Sequence, residues 1–216
     1  IVVDQNAVQQ LGPFTVRWLP ITHSTAETSA LLIDTSAGSI LHTADWKVDH
    51  APVVGKAFDD ESSRAIGTQP VDAIVCDSTN ATQTGHSLSE ADLVPGLEQA
   101  IANAPARVVV ACFASNIARL QSIGDLAASN GRHLAILGRS LNEMVRSAKA
   151  CGYLNENFNV VPAHDIGYLP PQEVLIVATG SQGEPGAALN RLAQGTHREL
   201  ELEPQDRVVF SSKTIP

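Results

Sequence analysis

The 216-residue chain has no apolar run of the roughly 18 residues that a membrane-crossing helix needs. Its opening, Ile1-Val2-Val3-Asp4, lacks the basic flank and the small-residue cleavage site of a signal peptide. Basic residues are scarce: 14 Lys and Arg stand against 23 Asp and Glu, a net charge of −9. That excess argues against non-specific attachment to a phosphate backbone, though it leaves room for a local basic groove. Cysteine is sparse and dispersed. Cys76 and Cys112 lie in apolar runs, and Cys151 is far from both. The three are therefore expected to be buried thiols of a reducing compartment, not disulfides or a zinc finger. Neither GxGxxG nor GxxxxGKS occurs, which points away from a nicotinamide site or a P-loop. There is no internal repeat and no low-complexity stretch. With 44% hydrophobic and 17% charged residues, the composition is globular. The first residue is Ile1 and the chain stops shortly after a strand-like run, so a fragment of a longer protein is expected.

The pattern changes near residue 85. Before it, Phe14–Leu19, Ser29–Ile33 and Ser39–His42 read as strands, with a hairpin turn at Asp34–Gly38. A polar connection over Asp45–Pro70 holds a short helix around Asp60–Ile66, and Val71–Cys76 is a short apolar strand. After it, strands and helices alternate. Ser89 and Asp92 form a capping-box string before a helix that runs to about Asn103, with Pro95 near its start. Arg107–Phe113, His133–Leu137, Glu173–Thr179 and Arg207–Ser211 read as strands; Asn116–Ser129, Leu141–Ala150 and Gly186–Gln194 read as helices. Val/Ile/Leu runs alternating with helices predict a parallel sheet covered on both faces.

Ligands of open parallel sheets bind at the carboxyl ends of strands. Here those ends carry Asp77-Ser78-Thr79-Asn80, Ala114-Ser115-Asn116, Gly138-Arg139-Ser140, Gly180-Ser181-Gln182-Gly183-Glu184-Pro185 and Ser211-Ser212-Lys213. Hydroxyls, amides and free backbone N–H groups suit a phosphate or another anion. Any one of them is also an ordinary helix cap, and only their recurrence on one sheet edge points to a ligand. In the β-rich half, His23 and Asp45 each follow a strand. Imidazole and carboxylate are zinc donors, but a surface His and a capping Asp explain the same residues. Asp77 is a third strand-end acid, able to orient a water or a ligating histidine or simply to cap a turn. His86 and His197 read as solvated, and His133 as a structural residue.

Taken together, the strings resemble a known family. Leu11-Gly12-Pro13-Phe14, Thr22-His23-Ser24 and His42-Thr43-Ala44-Asp45-Trp46-Lys47-Val48-Asp49 look like the later metal motifs of a metallo-β-lactamase-type nuclease. Asp77-Ser78-Thr79-Asn80, Phe113-Ala114-Ser115-Asn116, Gly138-Arg139-Ser140, Thr179-Gly180-Ser181-Gln182-Gly183-Glu184-Pro185 and Gly195-Thr196-His197-Arg198 resemble the β-CASP part of bacterial ribonuclease J. The resemblance spans nearly the whole chain, in order. It implies an α/β fold: a partial metallo-β-lactamase αββα segment over 1–84, then a β-CASP domain over 85–216 with a mostly parallel, Rossmann-like sheet.

The resemblance also implies chemistry. The family holds two zinc ions, and a metal-bound hydroxide attacks an RNA phosphodiester in 5′-to-3′ exonuclease and endonuclease modes. By resemblance His23 and Asp45 are metal ligands, Asp45 being the bridging carboxylate, and His23, Asp45 and Asp77 are the catalytic set. Ser115, Asn116, Arg139, Ser181 and Gln182 fall near a pocket for the 5′ end of RNA. The departures are specific. No His-x-His-x-Asp-His occurs, Ala44 stands where the family usually has Gly, and only His23 and Asp45 of the ligand set are present. The chain alone is therefore expected to bind metal weakly and to be inactive. Cytoplasmic location, RNA as partner, no membrane and self-association of the intact protein complete the expectation. The alternatives are a non-catalytic β-CASP paralogue that only binds RNA or a partner, and a small-molecule hydrolase of the same metal fold.

Overall fold

The computed structural model describes residues 2–213. They fall into two compact units, residues 2–89 and 90–213.

The first unit is a five-stranded sheet of order β1-β2-β3-β4-β5, formed by β1 (Val8–Leu11), β2 (Phe14–Pro20), β3 (Ser29–Thr35), β4 (Gly38–His42) and β5 (Ala73–Val75). The first four strands pair antiparallel, and β5 joins β4 in parallel. Thr35 faces Gly38 across the predicted hairpin turn. Helix α1 (Asp60–Gly67) lies in the connection before β5. The Asp59 carboxylate caps it by accepting the Glu61 and Ser62 N–H groups at 3.0 Å each. Acids in the first turn and Arg64 in the last suit the helix dipole. The core is small: Leu19, Ala30 and Leu32, with Ile21, Leu41, Ile66 and Val71 packed against them. Ile40, Ile74 and Val75 stay exposed. Strand β1 has no sequence signal, because Val8-Gln9-Gln10-Leu11 is neither apolar nor alternating; the ladder to β2 makes it a strand.

The second unit is built on a four-stranded, all-parallel sheet of order β7-β8-β6-β9: β6 (Val108–Ala111), β7 (His133–Leu137), β8 (Val174–Ala178) and β9 (Arg207–Phe210). β6 and β8 are buried throughout, as their unbroken apolar runs predict. One face carries Val109, Ala111, Ala135, Ile176 and Ala178. It packs on Ile166, Leu200 and the buried residues of α5 (Ala188–Ala193). Alternation sends Val108, Val110, Leu134 and Leu175 to the other face. There α3 (Ile117–Ser129) contacts β7, α2 (Val94–Ala102) and α4 (Arg139–Ala150). α3 is buried along most of its length. The segment after Ser89 opens with a 3-10 turn, Ala91–Leu93, before α2, with Pro95 in the first turn of that helix. α5 starts later than its sequence pattern suggests, because Gly186 takes φ +74° and Ala187 is extended.

Two sequence expectations need correcting. Cys76 and Cys151 are exposed, and only Cys112 is buried. Cys76 follows an edge strand whose residues all face solvent. His133 opens a buried strand, yet its side chain is 47% exposed and lies 4.0 Å from Glu173.

Arg132 anchors the amino-terminal side of the second sheet. Its guanidinium donates to the carbonyls of Ala106 (2.9 Å), Val174 (3.2 Å), Ile101 (3.1 Å) and Ala104 (2.9 Å). These carbonyls belong to the end of α2, the approach to β6 and the start of β8.

Candidate functional site

In the first unit β2, β4 and β5 run the same way, since two antiparallel pairings and one parallel pairing separate them. Their carboxyl ends share one sheet edge. His23, Asp45 and Asp77 each follow one of these ends, so the topology gathers all three. Local bonds fix the loops there. The Thr22 hydroxyl donates to the Lys47 carbonyl and accepts the Asp49 N–H. The Thr43 hydroxyl accepts the Asp77 N–H at 3.1 Å. Ala44 takes φ +53°, and its N–H reaches the His42 Nδ1 at 3.1 Å.

Asp77 accepts the Thr79 hydroxyl (2.6 Å) and the Thr79 N–H (3.0 Å). These bonds first, then the Trp46 N–H and the nearby His23, hold its carboxyl below the usual carboxylate range. His23 is half-buried, with the Ser24 hydroxyl 3.3 Å from its Nδ1. Asp45 is exposed. Among the described residues no group of three or more His, Cys, Asp and Glu side chains is placed to hold a metal ion. A zinc site takes at least three protein ligands.

In the second unit the four parallel strands place 112–116, 138–140, 179–182 and 211–213 along one edge. Asn116 is buried and caps α3: its Oδ1 accepts the Arg119 N–H at 2.8 Å, and its amide donates to Glu90 at 3.2 Å. Ser115 beside it is exposed. Gln182 donates from its amide to the Ser212 hydroxyl (3.1 Å) and the Lys213 carbonyl (2.9 Å). Ser181 is buried, and among the described residues its hydroxyl has no hydrogen-bond partner. A buried hydroxyl left unpaired costs about 1–3 kcal/mol.

Arg139 opens α4, which has no side-chain cap. A cavity of about 410 Å³ lies at this helix start, lined by Arg139, Ser140, Glu143, Thr179 and Arg191 among others. Two glycines let the strand ends approach. A Cβ on Gly138 (φ +133°) would sit 2.6 Å from Thr179, and one on Gly180 (φ +112°) 3.0 Å from Ala187. Glu143 is paired with Arg146 along the helix. Arg191 carries no sequence signal; a crossover brings α5 beside the start of α4. His197, read from the sequence as solvated, is instead half-buried near Arg191 and accepts the Glu199 N–H at its Nδ1. Burial and then Arg191 push its pKa below the ordinary imidazole value.

The edge thus brings hydroxyls and two arginines to the ends of the parallel strands, an arrangement suited to anions. Residues 105–216 match the family described as ribonuclease J, beta-CASP domain. Among curated proteins, a ribonuclease J of Sinorhizobium meliloti is 39% identical over 95% of this chain and 36% of its own length. One of Mycolicibacterium smegmatis is 37% identical over all of this chain and 39% of its own, and one of Helicobacter pylori 36% identical over all of this chain and 31% of its own. The chain spans about a third of the length of these relatives. A crystal structure of a protein of unknown function from Enterococcus faecalis V583 shares the fold, with a TM-score of 0.55 at 14% identity over 97% of this chain and 56% of that one.

Proposed function

The chain belongs to the ribonuclease J family through its β-CASP domain, and on that premise we propose that it is part of a cytoplasmic ribonuclease that hydrolyses RNA phosphodiesters. The carboxyl edge of the second unit's sheet would receive a phosphate of the RNA, the 5′-terminal one. The observation that carries this reading is the Ser181 hydroxyl, buried and without a partner among the described residues, where the parallel strands end. Ser115, Arg139 and Gln182 stand at the same edge, and Arg191 adds a second cation beside Arg139. Hydroxyls and two arginines would give local anion recognition to a chain whose net charge is −9.

His23, Asp45 and Asp77 would contribute to the hydrolytic centre. Zinc is the metal this reading carries, and it would supply Lewis-acid stabilisation of phosphodiester charge. Because the described donors fall short of a complete ligand set, further ligands would come from parts of the intact protein outside these residues. The roles left to this chain are to present one imidazole and two carboxylates at a single sheet edge, and to keep Asp77 ionised through Thr79 and Trp46.

The test is degradation of a short labelled RNA by the gene-length protein with zinc or manganese, comparing 5′-monophosphate with 5′-hydroxyl ends. The expected result is faster stepwise loss from the monophosphate end, abolished by Asp45→Ala and Asp77→Ala. RNA binding without cleavage would overturn the hydrolytic reading in favour of a non-catalytic RNA-binding paralogue.

A further inference from the structure

The second unit holds a buried ion pair. Glu90 and Arg119 meet at 2.8 Å with side chains 10% and 7% exposed. Desolvating both charges offsets most of their attraction, and apolar residues of similar volume often do as well. The partners of the pair are informative. Glu90 takes Arg119 Nε on one oxygen and the Asn116 amide on the other, at 3.2 Å. Arg119 also donates to the Ser211 carbonyl at 2.6 Å and to the Ser211 hydroxyl. The next residue, Ser212, accepts the Gln182 amide and donates to the Ser181 carbonyl at 3.4 Å. One continuous chain of polar contacts therefore runs from Glu90 through the ends of β6 and β9 to Ser181 and Gln182 at the end of β8.

We infer that the Glu90–Arg119 pair is the positioning element of the phosphate pocket: it sets where Ser211 and Ser212 lie, and through them Ser181, whose hydroxyl lies at the strand ends. This rests on the phosphate reading of that edge given above. The physical reason lies in the sheet. β9 is an edge strand, paired only with β6, and its residues are half-buried or exposed. Ser211 and Ser212, which follow it, are half-buried and carry no apolar side chain. Arg119 holds Ser211 from a helix that is itself buried. Because Asn116 caps α3 while bound to Glu90, the start of that helix and the β9 exit are held to one reference point.

The experiment measures fluorescence anisotropy of 3′-labelled decaribonucleotides carrying a 5′-monophosphate or a 5′-hydroxyl, titrated with the full chain. Thermal unfolding is followed in parallel. In Glu90→Gln the monophosphate-to-hydroxyl affinity ratio is expected to fall about tenfold, with 5′-hydroxyl affinity within about twofold of the parent. Ser211→Ala, which keeps the pair and removes one of its holds on the strand exit, is expected to reduce the ratio about two- to threefold. A folded Glu90→Gln with a lower Tm and an unchanged ratio would show a merely structural staple and overturn the proposal. If Glu90→Gln does not fold, an unchanged ratio in Ser211→Ala overturns it instead. Ser181→Ala separates the two levels. If it abolishes a preference that Glu90→Gln preserves, the positioning role fails and the pocket stands. If the parent has no preference and Ser181→Ala changes nothing, the pocket reading fails and the positioning role falls with it.

Discussion

Replacing Arg132 with Met would test whether the second unit depends on one cation for its amino-terminal edge. The guanidinium donates four hydrogen bonds of 2.9–3.2 Å to main-chain carbonyls and, among the described residues, has no carboxylate partner. Hydrogen bonds to a charged group contribute about 1.5–3 kcal/mol each, a gross figure of roughly 6–12 kcal/mol. Against this stands the desolvation of a side chain whose residue is only 9% exposed. Burial, and after it Arg207, pulls the Arg132 pKa below the usual guanidinium value, which marks that cost. Methionine fills part of the volume but satisfies none of the four carbonyls, two of which, Ile101 and Ala104, lie at the end of α2. The net loss is expected to be about 3–5 kcal/mol, comparable with breaking other buried charged contacts. For a unit of this size that lowers Tm by roughly 10–25 °C. Arg132→Lys keeps the charge but offers a compact ammonium that cannot span four carbonyls, so about half the loss is expected. The assay is urea unfolding of the full chain by far-UV circular dichroism, each transition fitted separately. A loss below about 1 kcal/mol for Arg132→Met would refute the reasoning, because it would mean water or rearranged backbone replaces the guanidinium at no cost.

Gly124→Ala should destabilise by about 1–3 kcal/mol despite the better helix propensity of alanine. Its Cβ would lie 2.4 Å from the ring of Phe158, which is fully buried, and a raised urea midpoint would show that the ring has room to move. Thiol titration at pH 8 should find Cys76 and Cys151 reactive in the native chain and Cys112 only after unfolding, since burial pushes the Cys112 thiol up to about 12. Burial alone would raise the Asp49 carboxyl, but hydrogen bonds from Ala51, Lys47 and Ser89 outweigh it and hold it low. A depressed acid contributes stability above its unfolded value of about 4 and loses it as pH falls through the folded value. Asp49→Asn should therefore flatten the stability of the first unit between neutral pH and about pH 3, and an unchanged acid slope would contradict this. Ser181→Ala should leave the chain as stable or up to about 1–2 kcal/mol more stable, because it removes an unpaired buried hydroxyl; a clear loss of Tm would mean the hydroxyl has a structural partner.

Much of the fold follows from local sequence chemistry. β6, β7 and β8 are legible because strands buried on both faces must be apolar without interruption. The ends of α3 and α4 are legible because Gly131 and Gly152, at φ +63° and +76°, terminate helices in a conformation other residues avoid. The strand-end hydroxyls and amides are legible as candidates for the same reason: a parallel sheet exposes its carboxyl ends in loops. Cys76 misleads because the apolar run before it belongs to an edge strand that faces solvent, and burial of an apolar run depends on what packs over it.

The alternation of elements, the parallel sheet of the second unit and the residue types at its edge are encoded locally, since these depend on periodicity, turns and side-chain chemistry within a few residues. Which of those residues meet depends on chain topology. His23, Asp45 and Asp77 share an edge because of strand direction across three pairings, which no spacing encodes. Arg139 and Arg191 share a cavity because a crossover returns α5 to the start of α4. Glu90, Arg119 and Ser211 form one contact chain across most of the second unit's length, because chain topology, not proximity in sequence, sets which buried charges find partners.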